Sequence, residues 1–453
     1  LIIIINIYKV IKENRVVDIV KVITNINIRI KEEQSMQWSF AEVTDKENFY
    51  GNSNPIDLVK KYGSPLYVYN ERILRARCRE LKNLVSYPNF VVNYSAKANT
   101  NLELLKIVKE EGLQVDAMSP GEIFIELKAG FEPEEILYIS NNVSAEELKY
   151  AIEAGVMVSV DSLSQLELFG QINEGGEVAI RFNPGVGAGH HEKVVTGGKK
   201  TKFGVDPRYI DNVKEILNKY NLRLIGINQH IGSLFMESDS YIEGIKSVLD
   251  IAGNFDDLEF VDFGGGFGIP YHKQDGQERL DLAQLGKGLD KVLREWVAEY
   301  GKEITFKIEP GRYIVAECGV LLGEAYATKV NYDRKYVGSD LGFNVLMRPM
   351  LYESHHDVEI YSKQDRESDN KEEVLIVGNI CESGDIIAKN RLLPEIVEGD
   401  IIGILDAGAY GYVMSSNYNQ RLRPAEVLIK EDGEDVLVRR RDTLEDLMRN
   451  YEF

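Results

Sequence analysis

Lys97 stands in the string Tyr94-Ser95-Ala96-Lys97-Ala98-Asn99, at the end of the apolar run Phe90-Val91-Val92-Asn93-Tyr94. An amine at the tip of a buried strand is partly desolvated. That favours its neutral form, and a neutral amine is what attacks an aldehyde. The small residues around it leave room for a bulky partner. A lysine so placed can also simply snorkel to solvent, so the reading turns on what accompanies it. Glu309-Pro310-Gly311-Arg312 follows the run Thr305–Ile308. A carboxylate there could keep the nitrogen of a cofactor ring protonated, and the planar fork of Arg312 suits a phosphate or carboxylate. A surface ion pair at a turn has the same appearance.

His230-Ile231-Gly232-Ser233 offers a flat ring and a hydroxyl, although a lone histidine is often structural. Gly264, Gly265 and Gly266 follow Phe260–Phe263. Consecutive glycines let backbone N–H groups turn towards a phosphate, and they also make plain flexible turns. Further on, Cys381 and Glu382 put a thiol beside a carboxylate, a pairing suited to moving a proton and binding a cation. Arg348 to Tyr352 could form an anion site, and Ala409-Tyr410-Gly411-Tyr412 has the small and hydroxyl residues of a loop around a ligand.

The elements that must carry these groups repeat one theme. Short apolar strands end in polar or glycine residues, and an amphipathic helical stretch follows. Eight strands are predicted: Phe90–Tyr94, Gln114–Ala117, Ile136–Ile139, Val156–Val160, Val178–Phe182, Leu224–Asn228, Phe260–Phe263 and Thr305–Ile308. Eight such units predict an α/β fold, a (β/α)8 TIM-like barrel over residues 70–312, whose chemistry gathers at the C-terminal strand ends. Lys97, Asp116, Asn141, Asp161, Arg181, His230 and Glu309 fall at those ends. Asn70 reads as the cap of a helix from Glu71 to about Leu84. After residue 312 the rhythm becomes short strands and turns, which predicts an all-β domain over 313–453, with residues 36–69 packing against it. Lys363–Glu373, nearly all polar, is expected to be an exposed loop.

The chain has 453 residues and a net charge of −20, which argues against nucleic-acid binding. Its three cysteines, Cys78, Cys318 and Cys381, are far apart and show neither metal spacing nor a disulfide framework. No metal site is expected, and a reducing, cytoplasmic setting is. Residues 1–35 hold eleven isoleucines and no alanine or glycine. Their opening run, Leu1–Ile7, is too short to cross a bilayer. Met36 is expected to open the normal sequence, with 1–35 an upstream extension.

Taken in order, six strings resemble the family of diaminopimelate decarboxylases, pyridoxal-phosphate enzymes with an alanine-racemase-like barrel. They are Tyr-Ser-Ala-Lys-Ala-Asn, His-Ile-Gly-Ser, Phe-Gly-Gly-Gly-Phe-Gly, Glu-Pro-Gly-Arg, Cys-Glu-Ser-Gly-Asp and Met-Ser-Ser-Asn-Tyr-Asn. The resemblance runs from about Pro65 to Glu426. It implies decarboxylation of meso-2,6-diaminopimelate to L-lysine and CO2, the last step of lysine biosynthesis. The alternative is a related decarboxylase of ornithine, lysine, arginine or carboxynorspermidine.

The resemblance also implies roles. Lys97 would carry pyridoxal phosphate as an imine, with His230 stacked on the ring, Glu309 on its nitrogen and Asp116 beside it. Ser233, Gly264 to Gly266, Gly311, Arg312 and Tyr410 would hold the phosphate end. Arg312, Arg348, Tyr352 and Tyr410 would contact the substrate. Cys381 and Glu382 would enter from the other subunit of a homodimer with shared sites, the first near the reacting carbon and the second on the distal ammonium. The chain departs from the family at Glu353-Ser354-His355-His356, where small residues and a tyrosine normally lead to a histidine, and in the filling of the loop Gly187–Gly204. Both stretches are expected to face the substrate side chain.

Overall fold

The computed structural model describes residues 41–185, 188, 189, 198, 201–230, 232–362 and 371–452. The expectations for 1–35 and Met36 lie outside the described residues. So does most of the loop 187–204.

The first strand, β1 (Leu66–Asn70), is followed at once by the helix Glu71–Lys82, and the Asn70 side chain accepts from the Ile73 amide at 2.9 Å as its cap. Eight parallel strands then close a barrel: β2 (Phe90–Ser95), β3 (Gln114–Ala117), β4 (Ile136–Ile139), β5 (Met157–Val160), β6 (Glu177–Arg181), β8 (Arg223–Asn228), β10 (Phe260–Asp262) and β11 (Thr305–Ile308). Closure is made by β11 pairing β2 in parallel. Two-residue strands β7 (Ala188–Gly189) and β9 (Gly232–Ser233) pair outside it. The predicted barrel is present, with strand ends shifted by at most one residue.

Helices separate the strands because the loops carry caps. Asn101, Ser119, Ser144, Ser162 and Asp281 each accept from a first-turn amide, a bond that stabilises a helix start by about 1 kcal/mol. The last barrel strand is followed only by the short helix Arg312–Val315. The helix Glu71–Lys82 packs between it and Leu102–Glu110, so the chain's first barrel helix completes the outer ring.

The barrel interior is half apolar and half polar. Leu137, Ile139, Ala179, Ile225 and Phe260 form one cluster. Asn93, Asp116, Ser159, Asn228, Asp262 and Glu309 are all buried. Ser159 Oγ bonds Asn228 Oδ1 at 2.6 Å between strands that are not neighbours. The sequence reading had the strand bodies apolar, and Asn93, Ser159 and Lys307 depart from it.

The remaining strands are β12 (Gly319–Asn331), β13 (Arg334–Ser339), β14 (Val358–Tyr361), β15 (Lys371–Val377), β16 (Ile386–Pro394), β17 (Ile401–Ile404), β18 (Ala425–Ile429) and β19 (Asp435–Arg439). They form a nine-stranded sheet together with β1. β1 runs antiparallel to β12 and parallel to β18, so the start of the described chain is built into this sheet. The expected loop Lys363–Glu373 is partly corrected. Residues 363–370 lie outside the description, but Lys371–Glu373 open β15 and pair with Leu392–Pro394. Charged side chains are stable in such a strand where one face meets water.

The two parts lock together beside Lys97. Asn99 Nδ2 donates to the Gly408 carbonyl at 2.9 Å, and the Tyr410 amide donates to the Ala98 carbonyl at 2.8 Å.

Candidate active site

A cavity of about 450 Å³ opens at the C-terminal strand ends, where the β sheet's loops meet the barrel. Its lining includes twelve of the residues singled out by sequence: Lys97, Asn141, Arg181, His230, Ser233, Gly266, Glu309, Gly311, Arg312, Arg348, Tyr352 and Tyr410. They come from eight separate stretches of chain, so closure of the barrel and docking of the sheet bring them together.

Lys97 sits in a single 3-10 turn, Ala96–Ala98, at the end of β2. Burial pushes its ammonium towards neutrality, but Asp116, Tyr410 and Glu309 outweigh burial and hold it above its ordinary value. The expectation of a neutral amine is therefore corrected, because the surrounding acids were not visible along one strand. Asp116 does not line the cavity. It lies beneath the turn, accepting from Ser95 Oγ at 3.0 Å and from the Ala96 amide at 3.2 Å. Burial raises its carboxyl to about 7.

Glu309 is 4% exposed, and its Oε1 has no hydrogen-bond partner among the described residues. Burial and then the neighbouring Asp262 hold it well above the usual carboxylate range. His230 Nδ1 accepts from the Gly265 amide at 3.0 Å, which fixes the ring. Burial, Lys97 and Arg181 hold that ring neutral, far below its ordinary value.

Two amides of the glycine triplet have partners within the chain. The Gly264 amide is engaged by Asp262 Oδ1 at 2.8 Å and the Gly265 amide by His230, and of the three only Gly266 reaches the cavity. The glycines are required by close approach. A Cβ on Gly265 would stand 2.1 Å from the Glu309 carbonyl oxygen, and one on Gly266, at φ +104°, 2.6 Å from that of Gly232.

Three buried arginines line this cavity: Arg181, which has Glu309, Asp161 and Asp262 near it, and Arg312 and Arg348. Arg312 donates to Tyr271 Oη and Ser233 Oγ, both at 2.9 Å, and its Nε is buried with no partner. Arg348 is 1% exposed, and its Cζ lies 4.6 Å from the Tyr271 ring centre. Among the described residues, neither has a carboxylate in ion-pair range. Buried charges are ordinarily paired, so this pair marks a site for an anion.

Residues 71–316 match the family model described as pyridoxal-dependent decarboxylase, pyridoxal binding domain. A curated diaminopimelate decarboxylase from Methanothermobacter thermautotrophicus is 43% identical over 418 residues, spanning 90% of this chain and 96% of the relative. The enzyme of the same name from Escherichia coli K12 is 34% identical over 87% of this chain and 95% of its own. A crystal structure of diaminopimelate decarboxylase from Helicobacter pylori complexed with L-lysine superposes with a TM-score of 0.80 at 30% identity. It covers 87% of this chain and 98% of that one. The chain belongs to the diaminopimelate decarboxylase family.

Pyridoxal phosphate, the cofactor of a diaminopimelate decarboxylase, fits what the cavity holds. Lys97 supplies an amine, Glu309 an unpartnered carboxyl oxygen, His230 a fixed flat ring, and Ser233 and Arg312 donors for a phosphate. Gly311 lets the chain approach closely. A Cβ there would stand 3.0 Å from Ala98 Cβ and 3.1 Å from Ser95.

Cys381 and Glu382 do not line this cavity. They lie on an exposed turn of the sheet domain, shaped by Asp385, whose carboxylate accepts from the Phe343 and Ile380 amides at 2.6 and 2.7 Å. Glu382 accepts from Tyr418 Oη at 2.5 Å.

Sequence reasoning missed Met118, Ile139 and Tyr271. The two apolar residues line the cavity and read as ordinary strand or strand-end residues. Tyr271 follows the glycine motif by a few residues, and that proximity was its only signal. Phe203, in the loop expected to face the substrate, does line the cavity, with Arg181 stacked 4.6 Å over its ring. Outside the cavity, His272, Asp275 and His355 bring ligand atoms within 4.8 Å of one another. Arg391 Nη1 stands 3.0 Å from His355 Nε2, so a fixed positive charge already occupies that grouping. Among the described residues, no helix is long and apolar enough to cross a membrane.

Proposed function

We propose that this chain decarboxylates meso-2,6-diaminopimelate to L-lysine and CO2 in the cytoplasm, through the cavity described above. The observation that carries the reading is that two of the cavity's three buried arginines, Arg312 and Arg348, have no neighbouring carboxylate among the described residues, whereas Arg181 has Glu309, Asp161 and Asp262. A phosphate and one distal carboxylate together satisfy two cations. A substrate such as ornithine, with no distal carboxylate, leaves one buried charge uncompensated, which is costly.

Bound in this cavity, pyridoxal phosphate supplies an aldehyde for amines and a ring that takes up the electron pair left when a carboxylate departs as CO2. The protein's own groups do the rest. Lys97 must lose a proton from Nζ before it can act as a nucleophile; the charge of Asp116 beneath its turn favours the protonated form until then. Glu309 holds a proton or negative charge at the ring-nitrogen end, in a buried setting where such interactions are strong. His230 presents the flat face of a neutral ring, held by Gly265. Arg312 and Ser233 bind the phosphate end, with Gly266, Gly311 and Tyr410 close by. Arg348 and Tyr352 receive the distal carboxylate. Phe203, Met118 and Ile139 make an apolar wall that excludes water from the reacting carbon.

Cys381 and Glu382 serve the neighbouring subunit's cavity in a homodimer, Cys381 Sγ as a proton source near the reacting carbon and Glu382 as the partner of the distal ammonium. Their exposure on a turn shaped by Asp385, away from their own chain's cavity, supports this arrangement. The test is CO2 release by the purified holoenzyme over a panel of amino acids. Diaminopimelate should be preferred, and preference for lysine, ornithine or arginine refutes the substrate.

A further inference from the structure

His356 is 2% exposed and lies directly behind Arg348. Its Nδ1 is 2.7 Å from the Leu405 carbonyl oxygen, and its Nε2 is 2.7 Å from Arg348 Nη1. A carbonyl can only accept and a guanidinium can only donate. The proton therefore sits on Nδ1, the lone pair of Nε2 faces the arginine, and the ring is neutral. Leu405 follows β17, so the ring is anchored on the sheet. Tyr271 closes the other side, edge-to-face with His356 at 5.2 Å and 76°, with Arg348 over its own face.

Arg348 is thus gripped by groups that carry no charge. A carboxylate in the place of His356 would hold the guanidinium as firmly and cancel its charge, leaving little attraction for an anion.

We propose that His356 is a positioning residue of the substrate site, a neutral acceptor that points Arg348 into the cavity and leaves its charge for the distal carboxylate of the substrate. The inference rests on Arg348 being the distal-carboxylate site. His356 does not line the cavity.

The test uses the holoenzyme with His356→Leu, His356→Gln and His356→Glu, and Arg348→Ala as reference. Leucine removes the acceptor. KM for diaminopimelate should rise about ten- to a hundredfold, as expected for one lost hydrogen bond to a charged group. The kcat should stay within about threefold, and the visible absorbance of bound cofactor should be unchanged. Glutamine restores a neutral acceptor and should bring KM back towards wild type. Glutamate also accepts from Arg348 but cancels its charge, so its KM should be as poor as that of leucine. A merely structural role would not separate these two. In the Arg348→Ala background, His356→Leu should change KM by less than about twofold.

If Arg348→Ala raises KM and His356→Leu does not, the positioning role is refuted and the anion site stands. If Arg348→Ala leaves KM unchanged, the anion-site reading beneath it fails. Should the leucine variant not fold, glutamine and glutamate decide the matter. Glutamate as good as glutamine overturns the proposal.

Discussion

Replacing Arg348 by methionine puts the anion site to the test. The guanidinium is 1% exposed, donates to His356, and has no carboxylate in ion-pair range among the described residues. Methionine keeps much of the length and removes the charge and the fork. Truncating one partner of a buried, hydrogen-bonded charge pair costs about 2–5 kcal/mol. At about 1.4 kcal/mol per factor of ten, kcat/KM for diaminopimelate should fall about 30-fold to several thousandfold. Arg312 shares the Tyr271 side chain with Arg348 and still supplies a positive charge. That places the expected loss in the lower half of the range, about 30- to 300-fold.

Two inhibitors separate charge recognition from pocket shape. Loss of one carboxylate from diaminopimelate leaves the other on the far carbon of the product, so L-lysine bound as product still presents it to Arg348. Cadaverine, the diamine lacking both carboxylates, does not. In the methionine variant, inhibition by L-lysine should weaken in step with the rise in KM, measured from initial rates of CO2 release. Inhibition by cadaverine should stay within about twofold. The thermal midpoint should not fall, because the substitution removes an uncompensated buried charge. If cadaverine weakens as much as lysine, Arg348 shapes the cavity rather than reading a carboxylate, and the reasoning is wrong.

Lys97→Ala should abolish both the visible absorbance of the bound cofactor and turnover; a coloured, active variant would assign the amine elsewhere. Glu309→Gln should still bind cofactor but turn over slower by about two orders of magnitude, the typical cost of one lost electrostatic contact in an active site, and unchanged turnover would remove Glu309 from the chemistry. Mixing inactive Lys97→Ala with inactive Cys381→Ala should regenerate activity, since a mixed dimer contains one site with both residues intact; demonstrable subunit exchange without activity would show the site is not shared. Glu126 is buried with both carboxyl oxygens unpartnered among the described residues, and burial, then Asp116 and Glu122, push it up to about 10 from an ordinary 4.5. The native protein keeps a proton there that the unfolded chain releases, so this group's contribution to stability is lost as pH rises from about 4.5 to about 10. Glu126→Gln should therefore melt increasingly above wild type between about pH 5 and pH 9, and equal pH slopes would refute the assignment.

The barrel was legible because its strands are short, mostly apolar runs closed by a polar cap, even though Asn93, Ser159 and Lys307 interrupt them. Local pattern and tertiary role agree in the eight barrel strands. Lys97, His230 and Glu309 were legible for a related reason, since each stands at a strand end, where barrel geometry aims side chains into one mouth. The partners of Gly264 and Gly265 were not legible in the same way. The amides of these glycines bond Asp262 and His230, and nothing along the chain says that residue 230 will stand against residue 265. Asp116, placed at a strand end by the sequence, lies below the Lys97 turn and acts on the lysine through its charge.

The sequence by itself determined the order of strands and helices, the change to a β domain after the barrel, and which side chains have the chemistry for a pyridoxal-phosphate site. These depend on neighbours a few residues apart, through periodicity, caps and motif spacing. Tertiary structure alone decided the charge state of Lys97, the unpaired state of Arg312 and Arg348, and the mounting of Arg348 between Tyr271 and His356. Each depends on which charges and hydrogen-bond partners the folded chain brings together, some from neighbouring turns and some from distant stretches. The physical reason is that burial strengthens electrostatics and hydrogen bonding, and burial belongs to the folded whole rather than to any segment of it.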